Sequence, residues 1–356
     1  MAEVLQVITD QNPRGAQVFA ADLERSLIQR GRSVKTVALE PGTYERLLDV
    51  PALGPSRMAP ATLRPLRREM GCAGVVIAHG STTLAASAVA GARTGTPFIY
   101  RQISDLNFWV NTAPRRLRAR ALLRRADAVV ALHAGSAETV RGFNVDAARI
   151  RVIPNGVPAA RFPLVEDKDR AAAREGFGLK ADRPTAAFVA ALSSEKNPLA
   201  AMRAVARLTD VQLLIVGDGP QRAEVDAEAS GPYAERMCVV GPLQDVWPAY
   251  CAADVLILSS TSESMPAVLI EAAFAGVPAV ATDVGAAAEV IVQGETGEVV
   301  APGDEVALSD AINRVLQRTG EYGMQARSRC LERYEIEVVA DRWQDLLDET
   351  LRNAGR

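Results

Sequence analysis

The chain has 356 residues, 48% of them hydrophobic and 23% charged, with 40 Lys+Arg against 43 Asp+Glu and a net charge of −3. That length exceeds one ordinary core, so two domains are expected. Aromatic content of only 5% disfavours nucleic-acid binding by base stacking.

The near-neutral total hides an asymmetry. Residues 1–160 carry 21 Lys+Arg and 12 Asp+Glu, a net +9, whereas residues 161–356 carry 19 and 31, a net −12. Either two domains attract each other across a cleft, or the basic half meets an anionic partner. Short apolar runs alternate with helical patterns along the whole chain, which predicts βα units and parallel sheets. The predicted strands are 4–9, 34–39, 74–78, 97–102, 128–132 and 150–154, then 186–192, 211–217, 237–241, 255–260, 278–282 and 298–301. Between the two sets, Pro154-Asn155-Gly156-Val157-Pro158 and the charged run Glu166-Asp167-Lys168-Asp169-Arg170 read as a linker. A last helical stretch, 337–351, follows the second set.

Residues 72–92 are uncharged, but their Gly, Ser, Thr and His79 content marks a buried strand and helix rather than a membrane span. The start, Met1-Ala2-Glu3-Val4, lacks the basic n-region of a signal peptide. Cys72, Cys238, Cys251 and Cys330 show no zinc-type spacing and read as reduced core thiols. A cytoplasmic protein is expected.

Candidate chemistry falls at the carboxyl ends of predicted strands, where open α/β sheets bind ligands. His79 ends the run Gly74-Val75-Val76-Ile77-Ala78, where a histidine either contacts a ligand or caps the strand. Arg14-Gly15 precedes a helix after the first strand, a turn whose amides can approach phosphate or simply connect two elements. Gly217-Asp218-Gly219-Pro220 follows a strand in the same way but lacks the third glycine of a dinucleotide fingerprint. Lys196 sits after the first strand of the second set, placed either to hold a diphosphate or in solvent. Glu263 and Glu271 have seven residues between them, the first in a Ser/Thr-rich turn and the second in an apolar helical run. A carboxylate in such a run is costly unless hydrogen-bonded, and a ribose or sugar diol offers two donors. Arg115, Arg116, Arg118, Arg120, Arg124 and Arg125 place six arginines in eleven positions. Such a face either binds anionic lipid or is merely solvated.

Taken together, these segments resemble the retaining glycosyltransferases of family 4, also called group 1, with the GT-B architecture. The resemblance covers nearly the whole chain. Its most specific part runs from Val211 to Asp304 and includes Leu214-Ile215-Val216-Gly217-Asp218-Gly219-Pro220, Ala252-Ala253-Asp254-Val255 and the segment Ser260 to Glu271. It continues with Ala275-Gly276-Val277-Pro278, Gly294-Glu295-Thr296-Gly297 and Pro302-Gly303-Asp304. Upstream, Ala126-Asp127-Ala128-Val129 and Ile153-Pro154-Asn155-Gly156-Val157 also match.

The resemblance implies an α/β fold of two facing Rossmann-like domains with parallel sheets. Their expected bounds are 1–160 on the acceptor side and 161–336 for the nucleotide sugar, with 337–356 packing back on the first. It implies a nucleoside-diphosphate sugar as donor substrate, with no cofactor and no metal. Glu271 would take the ribose hydroxyls. Glu263 would face the donor sugar, with the backbone of Ser264, Met265 and Pro266. Lys196 would neutralise the diphosphate, His79 would contact the transferred sugar, and Gly15 and Gly217 would lie near the phosphates. Val240 and Leu243 would receive the base.

Departures from the family pattern stand out: its arginine is Ala191 here, the glycine before it is Ala190, and the glycine after the first glutamate is Ser264. Either another cation substitutes, with Arg14 the candidate, or the donor differs, or the protein is a weak or silent relative. The expected function is retaining transfer to an acceptor hydroxyl, lipid-linked or on an envelope glycan, at the inner face of a membrane. The alternatives are a silent sugar-nucleotide-binding relative and a sugar-nucleotide epimerase.

Overall fold

A computed structural model describes residues 2–104, 106, 110 and 112–355. Packing divides the chain into two units, Met1–Val157 with Tyr334–Arg356, and Pro158–Arg333. The sequence boundaries lay at 160/161 and 336/337.

The first unit is built on β1 (Val4–Ile8), β2 (Val34–Ala38), β3 (Val75–His79), β4 (Phe98–Arg101), β5 (Ala128–Ala131) and β6 (Ile150–Val152). All pair in parallel, in the order β2-β1-β3-β4-β5-β6. The second unit repeats the plan with β7 (Thr185–Val189), β8 (Gln212–Val216), β9 (Met237–Val240), β10 (Val255–Leu258), β11 (Ala279–Thr282) and β12 (Gly297–Val300). Its order is β12-β11-β10-β7-β8-β9, again parallel throughout. Strands such as β1, β7, β8 and β10 are buried along their whole length. Helices cover both faces of a parallel sheet, so its strands read as continuous apolar runs.

In each sheet the winding reverses beside the first strand. β1 lies between β2 and β3, and β7 lies between β8 and β10. Loops leaving the two strands at such a reversal part in opposite directions and open a ligand crevice at the carboxyl edge.

The opposite, amino edge carries a repeated clamp. Asp127 donates its backbone N–H to Phe98 O at 2.8 Å and accepts from Phe98 N at 2.9 Å. In the second unit Asp254 N donates to Thr185 O, and Asp254 Oδ2 accepts from Thr185 N, both at 2.7 Å. Arg174 adds an ion pair to Asp254 at 2.6 Å and Arg170 one at 3.1 Å. Both Ala-Asp segments singled out from sequence thus register neighbouring strands at the amino edge of each sheet. The charged run at 166–170 is not open linker: Asp167 begins the helix Asp167–Gly176, which presents those arginines.

The helix Ile336–Asn353 packs on the first unit. Ile336, Val339, Ala340, Trp343, Leu346 and Leu347 recur at helical spacing and bury themselves among Phe19, Leu23, Leu27, Ile77 and Ile99. Gly156 lets its first turn approach, since a Cβ there would press on Ile336 and Val339. Arg30 with Glu337 and Asp341, and Arg32 with Glu3 and Asp348, fasten its polar side.

Arg115, Arg116, Arg118, Arg124 and Arg125 are exposed on and just after the helix Ala113–Leu123, while Arg120 is half-buried. Arg116 stacks on Phe143 at 5.0 Å. Leu117 is 70% exposed among them, and Leu123 anchors the helix in the core. Of the four free thiols, Cys251 and Cys330 are buried, whereas Cys72 is exposed and so is no core residue. Among the described residues no helix is long and apolar enough to cross a membrane.

Candidate functional site

In the second unit the loop after β7, residues 190–197, runs beside the loop after β10, residues 259–266. Thr261 N donates to Glu195 O at 2.7 Å, and Ser259 Oγ donates to Asn197 O at 2.8 Å. Asn197 takes the left-handed region at φ +50°, which asparagine tolerates better than most residues, and begins the helix Pro198–Ala206. This stapling brings Lys196 Nζ to 2.7 Å from Glu263 Oε1. Ser260 Oγ donates to the same oxygen at 2.7 Å, and the Glu195 carboxylate lies 3.6 Å from the ammonium. Glu263 is 9% exposed and Lys196 24%. A nearly buried carboxylate is thus satisfied by one cation and one hydroxyl.

Two glycines let the neighbouring loops close on this pair. Gly285, after β11, sits at φ +57°, and a Cβ there would collide with the backbone oxygens of Glu263 and Ser264. Ala286 N also donates to Ser264 O at 2.8 Å. Gly217, at φ +145°, lies against the carbonyl of Ala190 so closely that any side chain would displace it. Gly217 therefore shapes the loop that carries Ala191, and Gly285 the turn that carries Glu263.

Glu271 projects from the second turn of the helix Ala267–Phe274. Tyr250 Oη donates to Glu271 Oε2 at 2.7 Å. Burial raises the Tyr250 phenol well above its usual pKa, with Glu271 adding to the effect, so it stays a hydrogen-bond donor. Phe162 meets the Tyr250 ring edge-on at 5.7 Å and fixes its plane. Sequence reasoning missed Tyr250, because its apolar segment gives no sign of a partner 21 residues away. Ser264, Val240 and Leu243 are half-buried, Met265 and Pro266 are buried, and Ala191 is exposed.

The carboxyl edge of the first unit has a different character. His79 is 2% exposed and Arg101 1%. Gln6 donates through Nε2 to Ala20 O at 2.8 Å and Thr36 Oγ1 at 3.1 Å, so its Oε1 faces His79 Nε2 at 2.9 Å. That acceptor requires a hydrogen on Nε2. Arg101 then donates to Nδ1 at 3.3 Å, and it also bonds Asn155 and stacks over Phe19 at 3.8 Å. Burial, then the Arg101 charge, holds the imidazole well below its usual pKa. Both ring nitrogens are therefore occupied inside the protein. Arg14, the candidate substitute cation, pairs with Asp10, which also accepts from Asn12 N at 3.0 Å and Gln17 Nε2 at 3.1 Å. Gly15 is the first residue of the helix Gly15–Gln29, with no atom within 4 Å of where its Cβ would lie. Arg101 too was missed, though a charge ending the apolar run Phe98-Ile99-Tyr100 was a visible signal.

Residues 13–161 match the family model described as Glycosyltransferase Family 4, and residues 183–318 match Glycosyl transferases group 1. The D-inositol 3-phosphate glycosyltransferase of Mycobacteroides abscessus is 32% identical over 241 residues, 65% of this chain and 49% of that protein. The alpha-maltose-1-phosphate synthase of Mycolicibacterium smegmatis is 29% identical over 254 residues, 65% of this chain and 64% of that protein. The matches thus span about half to two thirds of these relatives' length. Among solved structures, Anabaena HepE in complex with UDP-glucose superposes with a TM-score of 0.86 at 20% identity, covering 98% of this chain and all of that one. Sucrose-phosphate synthase from Thermosynechococcus elongatus gives 0.83 at 21% identity over 99% of this chain and all of that one. The fold is thus the α/β GT-B fold. With both halves of the sequence matched in order, the chain belongs to the family 4, group 1 glycosyltransferases.

Proposed function

We propose that this protein transfers a sugar from a nucleoside-diphosphate sugar to an acceptor hydroxyl with retention, without a metal or cofactor. The observation that carries this reading is the Lys196–Glu263–Ser260 cluster where the second sheet reverses, with Glu271 and Tyr250 beyond it. Lys196 and the N-terminus of the helix Ala267–Phe274 meet the charge on the departing diphosphate. Glu271, oriented by Tyr250, takes the ribose hydroxyls, while Glu263 and the backbone of Ser264 and Met265 face the sugar. Val240 and Leu243 receive the base. A donor phosphate oxygen accepts the acceptor's proton. HepE structures hold UDP-glucose and UDP, which makes uridine donors the first to test. The test is transfer and hydrolysis from a panel of UDP, GDP and ADP sugars. Turnover that is lost in Glu263→Ala is expected, and a fully active variant would remove the assignment.

Ala191, where the family has an arginine, favours a second reading, a sugar-nucleotide-binding protein with little or no turnover. Binding of a donor with neither transfer nor hydrolysis would establish it. For the acceptor side we propose an anionic membrane surface, met by the exposed Arg115, Arg116, Arg118, Arg124 and Arg125 around Leu117. Each basic residue near such a surface contributes about 1 kcal/mol. Arg118→Glu with Arg124→Glu should abolish sedimentation with phosphatidylserine vesicles and spare neutral ones. Unchanged sedimentation would exclude a lipid-surface role.

A further inference from the structure

The loops at the carboxyl edge of the second sheet are poor in positive charge for a site that takes a diphosphate. Residues 190–197, 217–220, 259–266 and 283–286 contain one basic side chain, Lys196, against Glu195, Asp218, Glu263 and Asp283. That one cation is already committed: its ammonium lies 2.7 Å from Glu263 Oε1 and 3.6 Å from Glu195. Glu263 is held in turn by Ser260 at 2.7 Å, so the carboxylate cannot swing away without losing a second bond.

We infer that Glu263 is a resident counter-ion that competes with the donor's diphosphate for Lys196. This deepens the donor-site reading and rests on it. A lysine is a compact charge on a flexible stem, able to exchange one anionic partner for another. Binding of a nucleoside diphosphate then exchanges the Lys196–Glu263 pair for a Lys196–phosphate pair and leaves Glu263 with Ser260, turned toward the sugar. Two consequences follow from charge alone. The site disfavours diphosphates until the exchange is made, and it disfavours the released nucleoside diphosphate as product, because Glu263 reclaims the lysine. Product release is thereby assisted by the same carboxylate that faces the sugar. A chain with a second cation at residue 191 would have less need of the exchange.

The sign of the effect separates this proposal from a purely substrate-binding role for Glu263. Titration calorimetry of the full chain with UDP, GDP and ADP identifies the tightest of the three. For that nucleotide, Lys196→Ala should weaken binding at least tenfold, and Glu263→Gln, which keeps the shape and the Ser260 bond, should tighten it by about fivefold. The matching nucleoside without phosphates should bind both Glu263→Gln and the wild type equally. Ser260→Ala keeps the carboxylate's charge and should not tighten binding. If Lys196→Ala weakens binding but Glu263→Gln leaves it unchanged or weaker, the counter-ion role is wrong while the donor site stands. If Ser260→Ala tightens binding as much as Glu263→Gln, loop loosening rather than charge is responsible, and the proposal fails. If Lys196→Ala binds normally, the donor-site reading falls and this inference with it.

Discussion

Arg101 donates to Nδ1 of His79 at 3.3 Å, deep in the first unit, and no carboxylate pairs with either side chain among the described residues. A buried guanidinium without a counter-ion is costly, and here only the Phe19 face, Asn155 and the imidazole lone pair oppose that cost. The arrangement fixes His79 as the neutral ring with its hydrogen on Nε2, since Gln6 offers only an acceptor there. Both imidazole nitrogens are thus engaged by Gln6 and Arg101.

Acid should therefore destabilise the first unit. The folded-state pKa of His79 lies well below the unfolded value near 6.5. Above that unfolded value both states are neutral and stability is full. As pH falls below about 6.5 the unfolded chain takes up a proton that the native ring refuses, costing up to about 1.4 kcal/mol per pH unit until the folded pKa is reached. Denaturation between pH 7 and 4 measures the loss, and nitrogen-15 NMR of the chain's two histidines reads the tautomer. A protonated His79 ring at pH 6 would contradict the geometry.

Tyr250→Phe removes the donor to Glu271 Oε2 and should cost about 1–3 kcal/mol of stability, because a half-buried carboxylate loses a partner. The same variant should weaken discrimination between a ribonucleoside and a 2′-deoxyribonucleoside diphosphate, as Glu271 Oε2 loses the Tyr250 hydroxyl. Urea titration and paired binding isotherms check the two effects separately. Retained discrimination would place the ribose elsewhere.

Gly285→Ala should be far more damaging than Gly15→Ala. At Gly285 the new methyl group meets the carbonyls of Glu263 and Ser264 at a positive φ, so the turn that aims Glu263 must move. A loss of roughly 1–3 kcal/mol and of most turnover is expected. At Gly15 nothing lies within 4 Å, and alanine should leave stability unchanged or raise it by about 0.4–1 kcal/mol. Equal melting temperatures for the two variants would refute this contrast.

Ala191→Arg should raise turnover. The residue is exposed on the loop that carries Lys196, so an arginine there fits without repacking the core. A second cation at a developing diphosphate charge is worth on the order of 2–4 kcal/mol when well placed, and about a tenfold gain in kcat/KM is expected from an unoptimised one. No gain, with donor binding intact, would mean that this site does not draw on a cation at residue 191.

All twelve strands were legible in sequence as short apolar runs, unbroken where the strand is buried on both faces, as in β1, β7, β8 and β10. The run 255–260 against β10 (Val255–Leu258) and the run 211–217 against β8 (Gln212–Val216) differ only at their ends. Lys196 and Glu263 drew notice in sequence because each lies in a loop shortly after such a run, and Glu271 because it is a charge inside an apolar helical run. The sequence could not show that Glu263 is bonded to Lys196 across 67 positions, or Glu271 to Tyr250 across 21. Nor could it show that Asp127 and Asp254 serve strand register at the opposite edge, since a short motif looks alike whether it binds a ligand or a neighbouring strand.

Sequence by itself determined the fold class, the repeated strand-helix plan and which polar residues follow the strands, because hydrophobic periodicity and residue type are local properties. Strand order was decided by tertiary structure alone. By setting β7 beside β10, and β3 beside β4, that order made Lys196 the partner of Glu263 and Arg101 the partner of His79. Charge pairing depends on distance in space, and only the folded sheets bring these residues within reach.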